Sequence, residues 1–251
     1  MKLVIIGGTG LIGSKLVANL RAQGHEAVPA SLDTGVNTLT GIGLGEALQG
    51  ASVVVDVSNS PSFEETAVMD FFTTSTRNIL KYAAAAGVQH YVALSVVGTE
   101  RIPDSPYLRA KNAQEMLIKG GGIAFTIVQA TQFFEFVKRI ADEATVGTTV
   151  RLPPVLIQPM AADDVAKAVG RIAVSGPVNG TVEVAGPEQF RFDDLIRQGL
   201  GARNDPREIV VDPHARYFGA ELGERDLIPD GNARLGGIHF QEWLNQPAVQ
   251  R

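Results

Sequence analysis

The chain has 251 residues, 45% of them hydrophobic and 20% charged, and a net charge of −5 at pH 7. This length suits one large domain, or one domain with a small appendage, and the acidic balance argues against nucleic-acid binding, which needs a basic stripe. With no cysteine, disulfides, thiolate nucleophiles and thiolate metal sites are excluded. Glycine is in excess, 27 residues of 251. Without a collagen period, these glycines should mark turns and close approaches of backbone. No apolar run reaches the ~18 residues of a membrane span. The first run stops at Gly7-Gly8, too early for a signal peptide. The expectation is a cytoplasmic protein that binds neither membrane nor nucleic acid.

Residues 3–6 are uninterrupted apolar, as for a strand buried on both faces of a parallel sheet. Residues 10–21 then read as a helix. Ile12, Leu16 and Leu20 lie on one stripe, and Gly24 suits its C-terminal cap. Strand signals recur at 27–30, 52–57, 90–96 and 124–129, with helical patterns at 64–86 and 107–119 between them. Such alternation predicts βαβ units and a parallel sheet with right-handed crossovers. Beyond residue 129 the pattern loosens. It predicts a helix over 132–144, an extended piece over 149–152 stopped by Pro153-Pro154, and a helix over 163–174 capped by Asp163 or Asp164. A strand over 181–185 and a helix over 192–200 follow, and then a tail punctuated by proline and glycine.

The segment Gly7-Gly8-Thr9-Gly10-Leu11-Ile12-Gly13 follows a predicted strand and opens a predicted helix, the setting of a dinucleotide-binding loop. Gly7 can make the sharp turn, and Gly10 admits backbone to a pyrophosphate. The amides of Leu11 and Ile12 would donate from the helix N-terminus, and Gly13 permits close packing. An acidic residue ending the second strand would signal NAD. The predicted strand ends at Ala30-Ser31, and neutral Ser31 could donate to a 2′-phosphate. NADP is therefore expected. Asp33, two residues on, keeps NAD open, and no arginine is nearby to clamp a phosphate.

Tyr107 and Lys111 are four apart on one predicted helix, hence neighbours on one face. A lysine beside a tyrosine would lower the phenol pKa and tune it for proton transfer. Ser95 lies at the carboxyl end of a predicted strand, where open α/β sheets bind ligands, and could orient a substrate oxygen.

With the segment Ala162-Asp163-Asp164-Val165-Ala166, these residues resemble the short-chain dehydrogenase/reductase superfamily. The likeness is greatest to its atypical, NmrA-like or NAD(P)H-binding branch, often described as nucleoside-diphosphate-sugar epimerase-like. It covers most of residues 1–190 and fades in the tail. The resemblance implies an α/β fold, a Rossmann-type doubly wound parallel sheet over 1–190, with a small substrate lobe over 191–251 or a single domain. It implies that Lys111 holds the nicotinamide ribose, Tyr107 is the general acid/base and Ser95 positions the substrate carbonyl. It also implies that Ser58-Asn59-Ser60 and Ala130-Thr131-Gln132-Phe133 line the cofactor, alongside Thr9 of the glycine loop.

Phe71-Phe72 and Phe133-Phe134-Phe136 could line an apolar pocket or pack in the core. Phe133 is the better pocket candidate because it follows a strand end. The four histidines lack metal-ligand spacing. The acidic pairs at 64–65, 163–164 and 193–194 fit helix starts. The expected function is NAD(P)H-dependent reduction or oxidation of a small carbonyl or quinone-like compound by a monomer or homodimer. The alternatives are an NADP(H) sensor without turnover and a nucleotide-sugar epimerase. The last would need a basic cluster from Arg203, Arg207, Arg216, Arg225 and Arg234.

Overall fold

The apolar runs form the interior of a seven-stranded parallel sheet in a computed structural model that describes residues 1–246. Its strands are β1 (Lys2–Ile6), β2 (Glu26–Ala30), β3 (Val53–Asp56), β4 (His90–Val96), β5 (Phe125–Ala130), β9 (Gly180–Ala185) and β12 (Arg234–Leu235). They lie in the order β12-β9-β5-β4-β3-β1-β2. Every neighbouring pair is parallel. Burial on both faces explains why residues 3–6 of β1 and 53–55 of β3 are uninterrupted apolar rather than alternating. Leu3 and Ile5 meet Leu16 of helix α1 (Leu11–Ala22) and Val169 of α6 (Ala162–Val174). Val4 and Ile6 pack on the opposite face, in one cluster with Leu44 of α2 (Leu44–Leu48), Ile79 of α3 (Glu65–Ala85) and Ile118 of α4 (Pro106–Lys119).

A second core lies beside the sheet. It is built from α5 (Val137–Glu143), α7 (Phe192–Gly201) and α8 (Phe240–Leu244), with Phe134, Phe192, Phe240 and Trp243 at its centre. Two small sheets frame it. One is β6 (Thr145–Val146), β7 (Thr149–Leu152) and β11 (Glu208–Val211), and the other is β8 (Leu156–Ile157) with β10 (Phe190–Arg191). The two cores do not divide at residue 190. Phe134, Val137 and Val150 belong to the second core, whereas β12 returns to the main sheet beside β9. Residues 247–251 of the expected lobe lie outside the described residues. No helix among those described is long and apolar enough to cross a membrane.

Several local expectations change. The helix expected from 132 starts at Val137. The backbone before it pairs instead with Met160, through Met160 N–H to Gln132 O at 2.8 Å and Phe134 N–H to Met160 O at 3.0 Å. Neither Asp163 nor Asp164 caps α6 by a side-chain bond. The Glu135 carboxylate accepts from Ala162 N instead. Asp163 pairs with Lys15 at 3.0 Å, and Asp164 accepts from Gly237 N and Ile238 N at 2.8 Å, fastening the tail. Glu64 does cap α3, accepting from Thr66 N and Ala67 N.

A candidate cofactor cleft

The chain leaves β1 for β2 on one side and returns to β3 on the other. The sheet therefore has a switch point at β1/β3, where doubly wound sheets bind ligands outside the carboxyl ends of their strands. A cleft of about 650 Å³ opens there.

The glycine loop forms one end. Gly7 has φ +76°, a conformation that side chains resist. A Cβ on Gly13 would lie 2.1 Å from Gly7 O, so the tight approach it permits is to the loop itself. Gly7, Thr9, Gly10, Leu11 and Ile12 line the cleft, and Gly13 supports them from beneath. The first turn of α1 has neither a side-chain cap nor a carboxylate. Its free N–H groups suit an anion.

Ser31 immediately follows β2 and lines the cleft with Asp33. Thr9 Oγ1 lies 3.1 Å from both Ser31 Oγ and Asp33 Oδ2. The carboxylate therefore sits beside the loop, and the only cations lining the cleft among the described residues, Lys111 and Arg139, belong to α4 and α5.

Along the floor, Ser58, Asn59, Ala130, Thr131 and Phe133 line the cavity as expected. Ser60 does not. Its Oγ accepts from Ser62 N and shapes the loop before α3. Thr131 Oγ1 and Gln132 Oε1 are buried without a hydrogen-bond partner, and both residues line the cleft. Buried polar atoms are rarely left unpaired. These two, with the glycine cradle, fit a dinucleotide carrying a polar amide at its far end.

The Tyr107–Lys111 face departs from expectation. Tyr107 Oη donates to Asn59 Oδ1 at 3.2 Å. Its ring is stacked on Phe63 and meets the edge of Phe72. Burial pushes the phenol pKa well up, opposed only by the charge of Arg139. Lys111 does not lower it, because its ammonium is engaged elsewhere. Lys111 Nζ donates to Leu94 O at 2.9 Å and to Gln114 Oε1, and lies 4.4 Å from the Phe72 ring centre. Burial instead brings the pKa of Lys111 itself down to about 8, with Asp56 and Glu115 opposing. Gln114 in turn donates to Asp56, which also accepts from Tyr91 and Ser58.

Ser95 lies on the floor of the cleft, but its hydroxyl donates to buried Glu115. Thr99 and Gln129 donate to the same carboxylate. The serine proton is thus committed below the cleft and is not presented to a substrate carbonyl.

The cleft also holds Tyr217 of the tail, together with Phe63, Arg139 and Phe218, which were not expected there from the sequence. Two features gave weak signals: Phe63 sits in a Ser/Pro-rich loop after a strand, and Tyr217-Phe218 is an aromatic pair in a polar tail. Phe71 lines the cleft, whereas Phe72 is buried core.

The profile described as NAD(P)H-binding matches residues 38–173, more than half of the chain. The chain belongs to the NAD(P)H-binding family. That match begins after the glycine loop, which the cleft geometry joins to it. Among curated relatives, the chain is 24% identical over 217 residues to the photosystem II assembly factor Ycf39 of Synechocystis sp.. That alignment covers 78% of this chain and 66% of the relative, just under two thirds of its length. It is 26% identical to the 4-hydroxy-tetrahydrodipicolinate reductase of Natronomonas pharaonis, covering 97% of this chain and 94% of that one. Among solved structures, the UDP-glucose 4-epimerase of Thermus thermophilus in complex with NAD superposes with a TM-score of 0.71 at 18% identity. That likeness covers 97% of this chain and 96% of the epimerase. The Rossmann-type fold of this NAD(P)H-binding protein is the one expected of the atypical short-chain dehydrogenase/reductases.

Proposed function

We propose that the protein is an NAD(P)H-dependent reductase of a small, largely apolar carbonyl or quinone-like compound. The observation that carries this reading is Tyr107, a protonated phenol in the aromatic wall of the same cleft that ends in the glycine loop. The bound nicotinamide cofactor supplies a hydride. The protein's part is to bind, orient and protonate. The α1 amides hold the pyrophosphate, Lys111 the ribose hydroxyls, and Thr131 and Gln132 the amide end.

Tyr107 gives its proton to the substrate oxygen as the carbonyl carbon gains the hydride. The phenol is protonated at neutral pH, as a proton donor in the direction of reduction must be. Asn59 fixes the phenol against the cofactor loop. Ser95 acts only indirectly, by tying β4 to Glu115 of α4.

Asp33 sets the cofactor preference. A carboxylate beside Ser31, with Lys111 and Arg139 the only cations lining the cleft among the described residues, accepts from a ribose 2′-hydroxyl and repels a 2′-phosphate. This moves the preference from the NADP expected on Ser31 alone towards NAD. An epimerase is less well supported, since none of Arg203, Arg207, Arg216, Arg225 and Arg234 lines the cleft. A regulator that binds cofactor without turnover is the second reading, favoured by the engaged hydroxyl of Ser95.

The test is calorimetric titration with NADH and NADPH, followed by turnover assays on aldehydes, ketones and quinones. Cofactor binding with turnover is the expected result. Binding without turnover of any compound favours the regulator, and no binding removes both readings.

A further inference from the structure

Helix α5 brings a cation into the cleft, Arg139. Arg139 lines the cavity, its guanidinium carbon 4.1 Å from the centre of the Phe63 ring. It makes no hydrogen bond or ion pair among the described residues. Carboxylates close to it in sequence are engaged or directed elsewhere. Glu135 accepts from Ala162 N and Trp243 Nε1. Asp142 is paired with Lys138 and Arg207. Glu143 lines a separate cavity of about 250 Å³, with Arg216. Among the described residues, Asp33 is the only carboxylate lining the main cleft.

The guanidinium is set among flat apolar surfaces. Phe63 stacks on Tyr107 with ring centres 5.3 Å apart, and Phe218 stacks on Phe63 at 6.3 Å. Phe136 stacks on Phe133 at 5.4 Å. Phe218 is held at φ +45°, a strained backbone for a bulky residue. The Tyr217–Ala220 bridge over-determines that turn, so the tail is shaped to present this ring. The field of Arg139 reaches the phenol of Tyr107, placing the cation and the proton donor in one compartment. An arginine matches a carboxylate through two parallel N–H bonds, and rings select a planar body.

We infer that the substrate is a planar, conjugated carbonyl compound bearing a carboxylate or similar anionic group, which Arg139 binds while the rings of Phe63 and Phe218 enclose its body. This deepens the reductase reading and rests on it. The role of Arg139 is to select and orient the substrate. Because the arginine is exposed, its contribution should weaken with added salt.

The test uses cinnamate and its neutral isostere cinnamamide as probes. Each is titrated into the wild-type protein and into the Arg139→Gln and Arg139→Lys variants, with and without NADH. NADH affinity is measured in parallel. The wild type should bind cinnamate about tenfold more tightly than cinnamamide, a difference of about 1.4 kcal/mol. Arg139→Lys should keep part of that preference. Arg139→Gln should abolish it, with unchanged affinity for cinnamamide and NADH. Equal affinities in the wild type, no binding of cinnamate, or a preference that survives Arg139→Gln would overturn the inference. Loss of NADH binding in the wild type would instead overturn the reductase reading, and the anion preference would still be measured without cofactor.

Discussion

The Tyr107 hydroxyl lies 3.2 Å from Asn59 Oδ1 and so joins the start of α4 to the loop after β3. If this phenol is the proton donor, Tyr107→Phe should lower kcat by 10²-fold or more, roughly the range for general acid catalysis. NADH affinity should change little, because the ring and its stacking on Phe63 are retained. Steady-state rates together with a fluorescence titration of NADH check both halves. Undiminished turnover in the variant would remove Tyr107 from the chemistry.

Ser95 and Glu115 supply a contrasting case. The serine hydroxyl is spent on a buried carboxylate that also receives Thr99 and Gln129. Ser95→Ala should therefore reduce kcat by less than about fivefold, well below the effect of losing a general acid. Glu115→Leu should be far more damaging to stability, costing roughly 3 kcal/mol, since it strands the buried hydroxyls of Ser95 and Thr99. Urea unfolding of both variants, alongside their rates, separates the roles. A hundredfold rate loss in Ser95→Ala would place that hydroxyl on the substrate after all.

Lys111 gives a pH prediction with two opposite signs. Burial holds its pKa at about 8, against 10.5 for an ordinary lysine. If the ammonium holds the cofactor ribose, NADH affinity should be full near neutral pH. It should fall about tenfold by one unit above that pKa, as the charged fraction falls. Stability should move the other way. Between 8 and 10.5 the unfolded chain binds the proton that the folded chain has lost, so the Lys111 contribution to stability rises with pH there. Lys111→Met should flatten both dependences, read as NADH Kd and urea midpoint across this window.

Cofactor choice turns on Asp33. Asp33→Ser removes the carboxylate beside Thr9 and Ser31, and should raise the affinity for NADPH relative to NADH by about tenfold, a shift of about 1.4 kcal/mol. Titration of both cofactors into wild type and variant measures the ratio. An unchanged ratio would show that the 2′ position lies away from Asp33.

The sheet was legible because strands such as β1 and β3 are buried on both faces, so that residues 3–6 and 53–55 run uninterrupted apolar. The glycine loop was legible because Gly7 and Gly13 answer to backbone constraints that no other residue meets. Short elements such as α2, β12 and α8 were not, because tertiary contacts decide them and their own patterns are too brief. Glu135 was unreadable as the acceptor at the start of α6, since it lies 27 residues away. The Tyr107–Lys111 spacing did place both residues on the cleft, but spacing alone could not show that Leu94 and Gln114 take the ammonium. Arg139 resembles any solvated charge on a helix until the loop carrying Phe63 folds over it.

Gly13→Ala decides whether the glycine loop binds a nicotinamide dinucleotide. A methyl group there would lie 2.1 Å from Gly7 O, so the loop must open. Calorimetric titration of NADH into wild type and variant is the measurement, with circular dichroism to establish that the variant is folded. The wild type should bind one-to-one, and a folded Gly13→Ala at least a hundredfold more weakly, about 2.7 kcal/mol or more. Equal affinity in the two proteins, or no binding of any nicotinamide dinucleotide by the wild type, would contradict it.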